Sequence, residues 1–233
     1  MPEAAGEATE EAVHADRTES FLLAVPEKRF LRWLAGRLPR WILPDDMTAV
    51  GVLAAFGVAI AYQLSNESLT WLWVASLLLV VQWLGDSLDG TLARVRRAER
   101  PTYGYYLDHL VDAVATAAIG IGLGLSPYML LATGLAIVIA YLVLSINTYL
   151  ETQAFGVFSL GYGRLGPTEA RLGLIALNTA LALGVGLEAT VAGLGVTLLD
   201  AIGLGAVALM LAGLGWRASR NLRVLAEREP YAA

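Results

Sequence analysis

The sequence predicts an all-α, polytopic membrane protein with six transmembrane helices and an N-terminal interfacial amphipathic helix. Three observations carry that expectation. Apolar residues make up 57% of the 233-residue chain and charged residues only 16%, whereas soluble domains carry about 25% charged residues. The apolar residues gather into runs near the ~20 residues needed to cross a hydrocarbon core of about 30 Å. The basic residues fall into one alternate set of connections between those runs. The chain has no cysteine, which excludes disulfides, Cys-ligated zinc, iron–sulfur clusters and cysteine nucleophiles. Its net charge of −5 averages an acidic tail with basic loops, so the sum implies no nucleic-acid partner.

Residues 1–20 hold Glu3, Glu7, Glu10, Glu11, Asp16 and Glu19 among alanines. With no apolar run after a basic start, they read as a disordered acidic tail and not as a cleaved signal peptide. Residues 21–46 form the interfacial segment. From Pro26 to Leu43, Lys28, Arg29, Arg32, Arg37 and Arg40 interleave with Phe30, Leu31, Trp33, Leu34, Leu38, Trp41 and Ile42. That composition suits a helix in the headgroup layer, its basic side toward lipid phosphates; a basic helix docked on protein is the other reading of the pattern. The six spans, at about 47–64, 69–89, 105–125, 127–150, 171–188 and 195–216, are each near the required length and make residues 47–216 one domain. Residues 217–233 remain as a C-terminal tail. Glycines such as Gly120, Gly122, Gly124, Gly203 and Gly205 let helix backbones approach closely in lipid.

The connections after spans one, three and five contain no Lys or Arg. Basic residues lie instead in the N-terminal segment, between Arg94 and Arg100, at Arg164 and Arg171, and at Arg217, Arg220, Arg223 and Arg228. By the positive-inside rule both termini and the even-numbered loops are expected in the cytosol.

Ionisable residues inside spans are costly and mark functional sites. Asp86 and Asp89 lie three apart at the end of span two, and Asp108 and Asp112 lie four apart near the start of span three, so each pair shares a helix face. Antiparallel neighbouring helices joined by a short loop can bring the two faces together. Counted from Gly104, Asp112 lies about 12 Å along its helix, which predicts a shallow, cytosol-facing site. Four carboxylates at close range require cations between them. An all-oxygen donor set suits Mg²⁺ or Mn²⁺, which would take phosphate oxygens as further ligands. Gly90 and Ala93 put minimal side chains on the same edge, leaving room for a phosphate-bearing ligand, and Gly104 reads as a flexible break before span three.

Asp86, Asp89, Gly90, Ala93, Arg94, Gly104, Asp108 and Asp112 together resemble the signature of the CDP-alcohol phosphotransferase family, D-x2-D-G-x2-A-R-x8-G-x3-D-x3-D. The one departure is a spacer of nine residues between Arg94 and Gly104, where the pattern has eight. The resemblance implies displacement of CMP from a CDP-activated alcohol by an acceptor hydroxyl at a site holding two ions of Mg²⁺ or Mn²⁺. It would make Asp86, Asp89, Asp108 and Asp112 metal ligands, with Gly90, Ala93, Arg94 and Gly104 near the cytidine diphosphate. The fourth aspartate, Asp112, is sometimes given the general-base role.

The branch is read from weaker signals. Family members that use phosphorylated acceptors carry basic residues at the cytosolic end of span four, but residues 147–156 contain no Lys or Arg; Arg164 and Arg171 are close enough in sequence to substitute. That stretch, the Asp108–His109 pair and residues 166–169 look like choline and ethanolamine phosphotransferases, which implies His109 and Glu169 as candidates for activating a diacylglycerol hydroxyl. Plain alternatives are an interfacial histidine for His109 and a helix-start carboxylate favoured by the dipole for Glu169. Residues 44–48 resemble the family's opening of span one, but with Asp45 where Asn is usual, and are left out of the site. The reading is a dimeric membrane enzyme of phospholipid synthesis, with a CDP-linked donor and a lipid acceptor. Its runner-up uses CDP-diacylglycerol as donor, and a divalent-cation transporter is the remote competitor.

Overall fold

The computed structural model describes residues 24–155, 167–185 and 196–230. The acidic tail, Arg164 and Gly166, and the end of span five beyond residue 185 lie outside the described residues. The described residues form seven helices: α1 (Ala24–Ala35), α2 (Pro44–Leu64), α3 (Thr70–Arg96), α4 (Pro101–Gly124), α5 (Leu131–Phe155), α6 (Pro167–Ala182) and α7 (Leu198–Arg228). The chain is all-α. Five of them, α2, α3, α4, α5 and α7, are long and apolar enough to cross a membrane. The expected fifth span corresponds to α6, whose 16 residues begin at Pro167, four before the predicted start.

Helix ends follow local chemistry. Pro44 and Pro101 sit at the first positions of α2 and α4, where a missing N–H costs nothing. Thr197 and Asp200 cap α7 reciprocally, an arrangement that satisfies two orphan donors. The fully buried Asp200 also accepts from the Leu130 N–H at 2.9 Å, fastening α7 to the turn before α5. α3 runs well past Asp89 and stops at Arg97, which takes a left-handed φ of 53° and donates to Ala93 and Arg94 carbonyls.

Two boundaries correct the sequence reading. The interfacial helix ends at Ala35 and does not continue to Leu43, because Gly36 and Pro39 follow and a proline disfavours the helical conformation of the residue before it. Arg96 instead gathers the irregular stretch, bonding the carbonyls of Leu38, Pro39 and Ile42. Nor is Gly104 a break. It lies inside α4, its N–H donating to the Arg100 carbonyl at 2.7 Å, because Pro101 has already started the helix.

α2 packs on both α3 and α4, α1 and α6 flank α3, α5 packs on α4, and α7 on α5. The main apolar core joins Val58, Ala61 and Tyr62 of α2 with Leu72, Ala75 and Leu79 of α3 and with Leu123, Leu181 and Leu199. α1 docks on α3 by burying Leu31 and Ala35 against Leu88 and Leu92, while Trp33 and Trp41 stay exposed. On the outside Leu53, Leu77 and Leu209 stand largely exposed, as expected where lipid tails replace solvent and helices associate through close packing.

Candidate active site

One seam fixes the site. Gly51 of α2 and Gly85 of α3 meet backbone to backbone: a Cβ on Gly85 would lie 2.5 Å from Gly51 N and 2.7 Å from Met47 O. That approach sets Thr48 against α3, where its hydroxyl donates to Asp89 Oδ2 at 2.7 Å. Asp89 Oδ1 accepts from the Gly90 N–H at 2.5 Å.

A cavity of about 10 Å³, room for one water-sized body, opens where α2, α3 and α4 converge, lined by all four predicted aspartates, Asp86, Asp89, Asp108 and Asp112. Thr48, Gly51, Gln82 and Ala115 complete most of the wall. On α3 the positions 82, 86 and 89 follow the i, i+4, i+7 spacing of a single face, and on α4 the positions 108, 112 and 115 do the same. The carboxylates therefore gather as the spacing predicts, with α2 as the third wall that holds both helices. Measured from the ends of α3 and α4, Asp86 and Asp112 lie about 15 Å in, somewhat deeper than the count from Gly104 suggests.

The cavity is only partly neutralised. Arg171 of α6 reaches in to Asp86, Nη2 to Oδ2 2.6 Å, both side chains mostly buried. The amide oxygen of Gln82, a residue 3% exposed, has no hydrogen-bond partner among the described residues. A set of four carboxylates, a hydroxyl and an unsatisfied amide oxygen, with one guanidinium against them, fits a hard divalent cation such as Mg²⁺ or Mn²⁺. Asp108, His109 and Asp112 form a second grouping, each offering a ligand atom, all within 4.8 Å of one another.

The remaining predicted residues surround this centre. Arg94 is exposed, its guanidinium 3.4 Å from where a Gly90 Cβ would be and its Nη2 donating to the Thr91 hydroxyl at 3.3 Å. Ala93 is half-buried, and a Cβ on Gly104 would meet only open space. His109 is outside the cavity wall. Its Nδ1 lies 3.4 Å from Asp108 Oδ2, and its ring is held between Tyr105 at 4.2 Å and Tyr149 of α5 at 4.8 Å. Glu169 is half-buried in the first turn of α6, two residues before Arg171. Its neighbour Thr168 bonds Glu27 of α1 at 3.2 Å, and Glu27 also accepts from Trp83 and Ser87 of α3, so α1 pins the start of α6 beside the cavity. At the rim Arg100 pairs with Asp45 at 2.5 Å, and that carboxylate raises the guanidinium's pKa still further.

Sequence reasoning misses two polar wall residues, Thr48 and Gln82, and the pairing that Arg171 makes with Asp86. Thr48 lies in the stretch set aside for its Asp45. Gln82, an amide within an apolar run one turn before Asp86, carried a readable signal. Arg171 reads in the sequence as a substitute phosphate holder, and its pairing with Asp86 spans 85 residues of sequence. A family model described as CDP-alcohol phosphatidyltransferase matches residues 41–212. Comparison with curated proteins gives no match.

Proposed function

The chain belongs to the CDP-alcohol phosphatidyltransferase family, and from that membership we propose that it transfers an ethanolamine- or choline-like phospho-alcohol from a CDP-alcohol to a lipid hydroxyl such as that of diacylglycerol, releasing CMP. The family carries out headgroup transfer from CDP-alcohols in phospholipid synthesis and typically depends on a divalent cation. The observation that carries the proposal is the convergence of four aspartates on one cavity between α2, α3 and α4.

Asp86, Asp89, Asp108 and Asp112 would hold the metal, which when bound neutralises the donor's pyrophosphate and stabilises the departing CMP. Arg94, exposed one turn beyond Gly90, meets the nucleotide, with Gly90, Ala93 and Gly104 keeping that edge clear. His109 takes the proton of the attacking hydroxyl. Its ring is fixed by stacking and by Asp108, a fixed orientation being what a general base requires. Glu169, at the start of α6, orients the acceptor, and Asp112 shares the proton-handling role. The positive-inside pattern supports a site that faces the cytosol, where a soluble nucleotide and a membrane lipid can meet.

A non-phosphorylated acceptor is favoured by how the nearby cations are used. At the last turns of α5 there is no basic residue. Arg217 of α7 reaches that end but pairs with Glu151 at 2.5 Å, and Arg171 is engaged by Asp86. Purified protein supplied with labelled CDP-ethanolamine, CDP-choline or CDP-diacylglycerol and matching acceptors should turn over the first two. Product from the CDP-diacylglycerol reactions alone refutes the preferred donor and installs the runner-up. Cation flux in proteoliposomes without nucleotide turnover would instead favour transport.

His109→Ala should lower kcat by about a hundredfold, the lower end of what general-base catalysis supplies, with nucleotide affinity nearly unchanged. Steady-state kinetics with a separate nucleotide-binding measurement checks this; an unaltered kcat makes His109 a packing residue of the α4–α5 seam.

A further inference from the structure

Gln82 stands outside the eight-residue signature, one helical turn before Asp86 and deeper in the bundle. It is 3% exposed, within an otherwise apolar run of α3, and its amide oxygen is buried without a partner among the described residues. An acceptor left so is costly, and an ion or an ordered water is among the few things that account for one in a native protein. Its surroundings say which ligand. Gln82 lines the same cavity as the four aspartates, and Gly51, also in its wall, lets α2 lie close against α3, where a Cβ would come to 3.4 Å from the Gln82 backbone carbonyl. The other buried amide of the core, Asn178, also carries an unpartnered amide oxygen among the described residues, but it does not line that cavity.

We propose that Gln82 Oε1 is a neutral oxygen ligand of the bound divalent cation, forming the inner end of the aspartate site. The proposal rests on the metal-dependent reading above and adds to it a donor from outside the signature. The charge balance explains why an amide serves here. Four carboxylates already line the cavity, with Arg171 paired to Asp86, and a fifth acid one turn deeper would add further charge to desolvate. An amide adds an oxygen without that penalty, as backbone and Asn/Gln carbonyls do in hard-cation sites.

The test is Mn²⁺ binding to the purified full-length protein, followed by electron paramagnetic resonance, alongside melting in EDTA and in Mn²⁺. Gln82→Met keeps the side chain's length and removes the oxygen. It should weaken Mn²⁺ affinity about tenfold, in line with losses from altering a metal site's supporting groups. It should also leave the EDTA melting temperature unchanged or raised, and shrink the rise produced by Mn²⁺. Equal affinity in wild type and variant overturns the proposal, as does a melting temperature lowered equally with and without metal, the mark of a packing role. If Gln82→Met does not survive purification, Gln82→Glu decides: retained or tighter Mn²⁺ binding supports an oxygen ligand, and weaker binding removes it. Wild-type protein with no saturable Mn²⁺ binding would bring down the metal reading itself, which equal wild-type and variant affinities would not.

Discussion

Asp89→Asn is expected to reduce turnover by more than about a hundredfold, beyond the loss typical of disturbing groups that merely support a metal's ligands, while the protein stays folded. Asp89 meets the cavity with a carboxylate whose two oxygens are already oriented, one by the Gly90 N–H at 2.5 Å and the other by the Thr48 hydroxyl at 2.7 Å. An asparagine retains an oxygen for the Gly90 N–H but turns an NH₂ toward Thr48. That hydroxyl can redirect its proton to the Pro44 carbonyl, 3.4 Å away, and accept instead. The local bonding survives and the negative charge does not. Since charge, and not shape, is what a divalent ion and a pyrophosphate demand of this position, activity and stability should separate. Headgroup-transfer assays with melting in EDTA measure both, and wild-type activity in the variant would mean that the four aspartates do not form a metal site.

Gly85→Ala should produce the complementary result, a loss of both stability and activity from adding a single methyl group. Its Cβ would be forced to within 2.5 Å of Gly51 N and 2.7 Å of Met47 O, and both are backbone atoms that no rotamer change can move aside. α2 and α3 must separate, at about 1–3 kcal/mol by the usual cost of overpacking. The separation acts directly on the site, because it draws Thr48 away from Asp89 and opens the wall formed by Gly51. Gly205→Ala is the matched control, since a Cβ there meets open space. A Gly85→Ala protein that melts like wild type would show that the α2–α3 seam is looser than its geometry indicates.

The membrane-spanning character, the all-α fold and the eight signature residues were legible in the sequence because each is encoded locally. A span needs only a long enough apolar run, and a shared helix face needs only spacing of three or four residues. Asp86 with Asp89, and Asp108 with Asp112, could be paired on that basis alone. Helix ends were less legible. Gly104 looked like a break but lies in mid-turn, since Pro101 had already fixed the start of α4, and Gly36 with Pro39 ended α1 sooner than its amphipathic composition implied.

Spacing and composition alone fix the local pattern: four acids at helical spacings within apolar helices, where ionisable groups are costly and mark a functional site. The packing of helix on helix fixes which other groups join those acids. Thr48 reaches Asp89 across 41 positions and Arg171 reaches Asp86 across 85, while Gln82 becomes a candidate ligand because α2 and α4 close around it. The physical reason is that a helix's own periodicity places its side chains on a face, whereas the approach of one helix to another depends on where both backbones lack bulk. Gly51 and Gly85 do not reveal in sequence that they are partners.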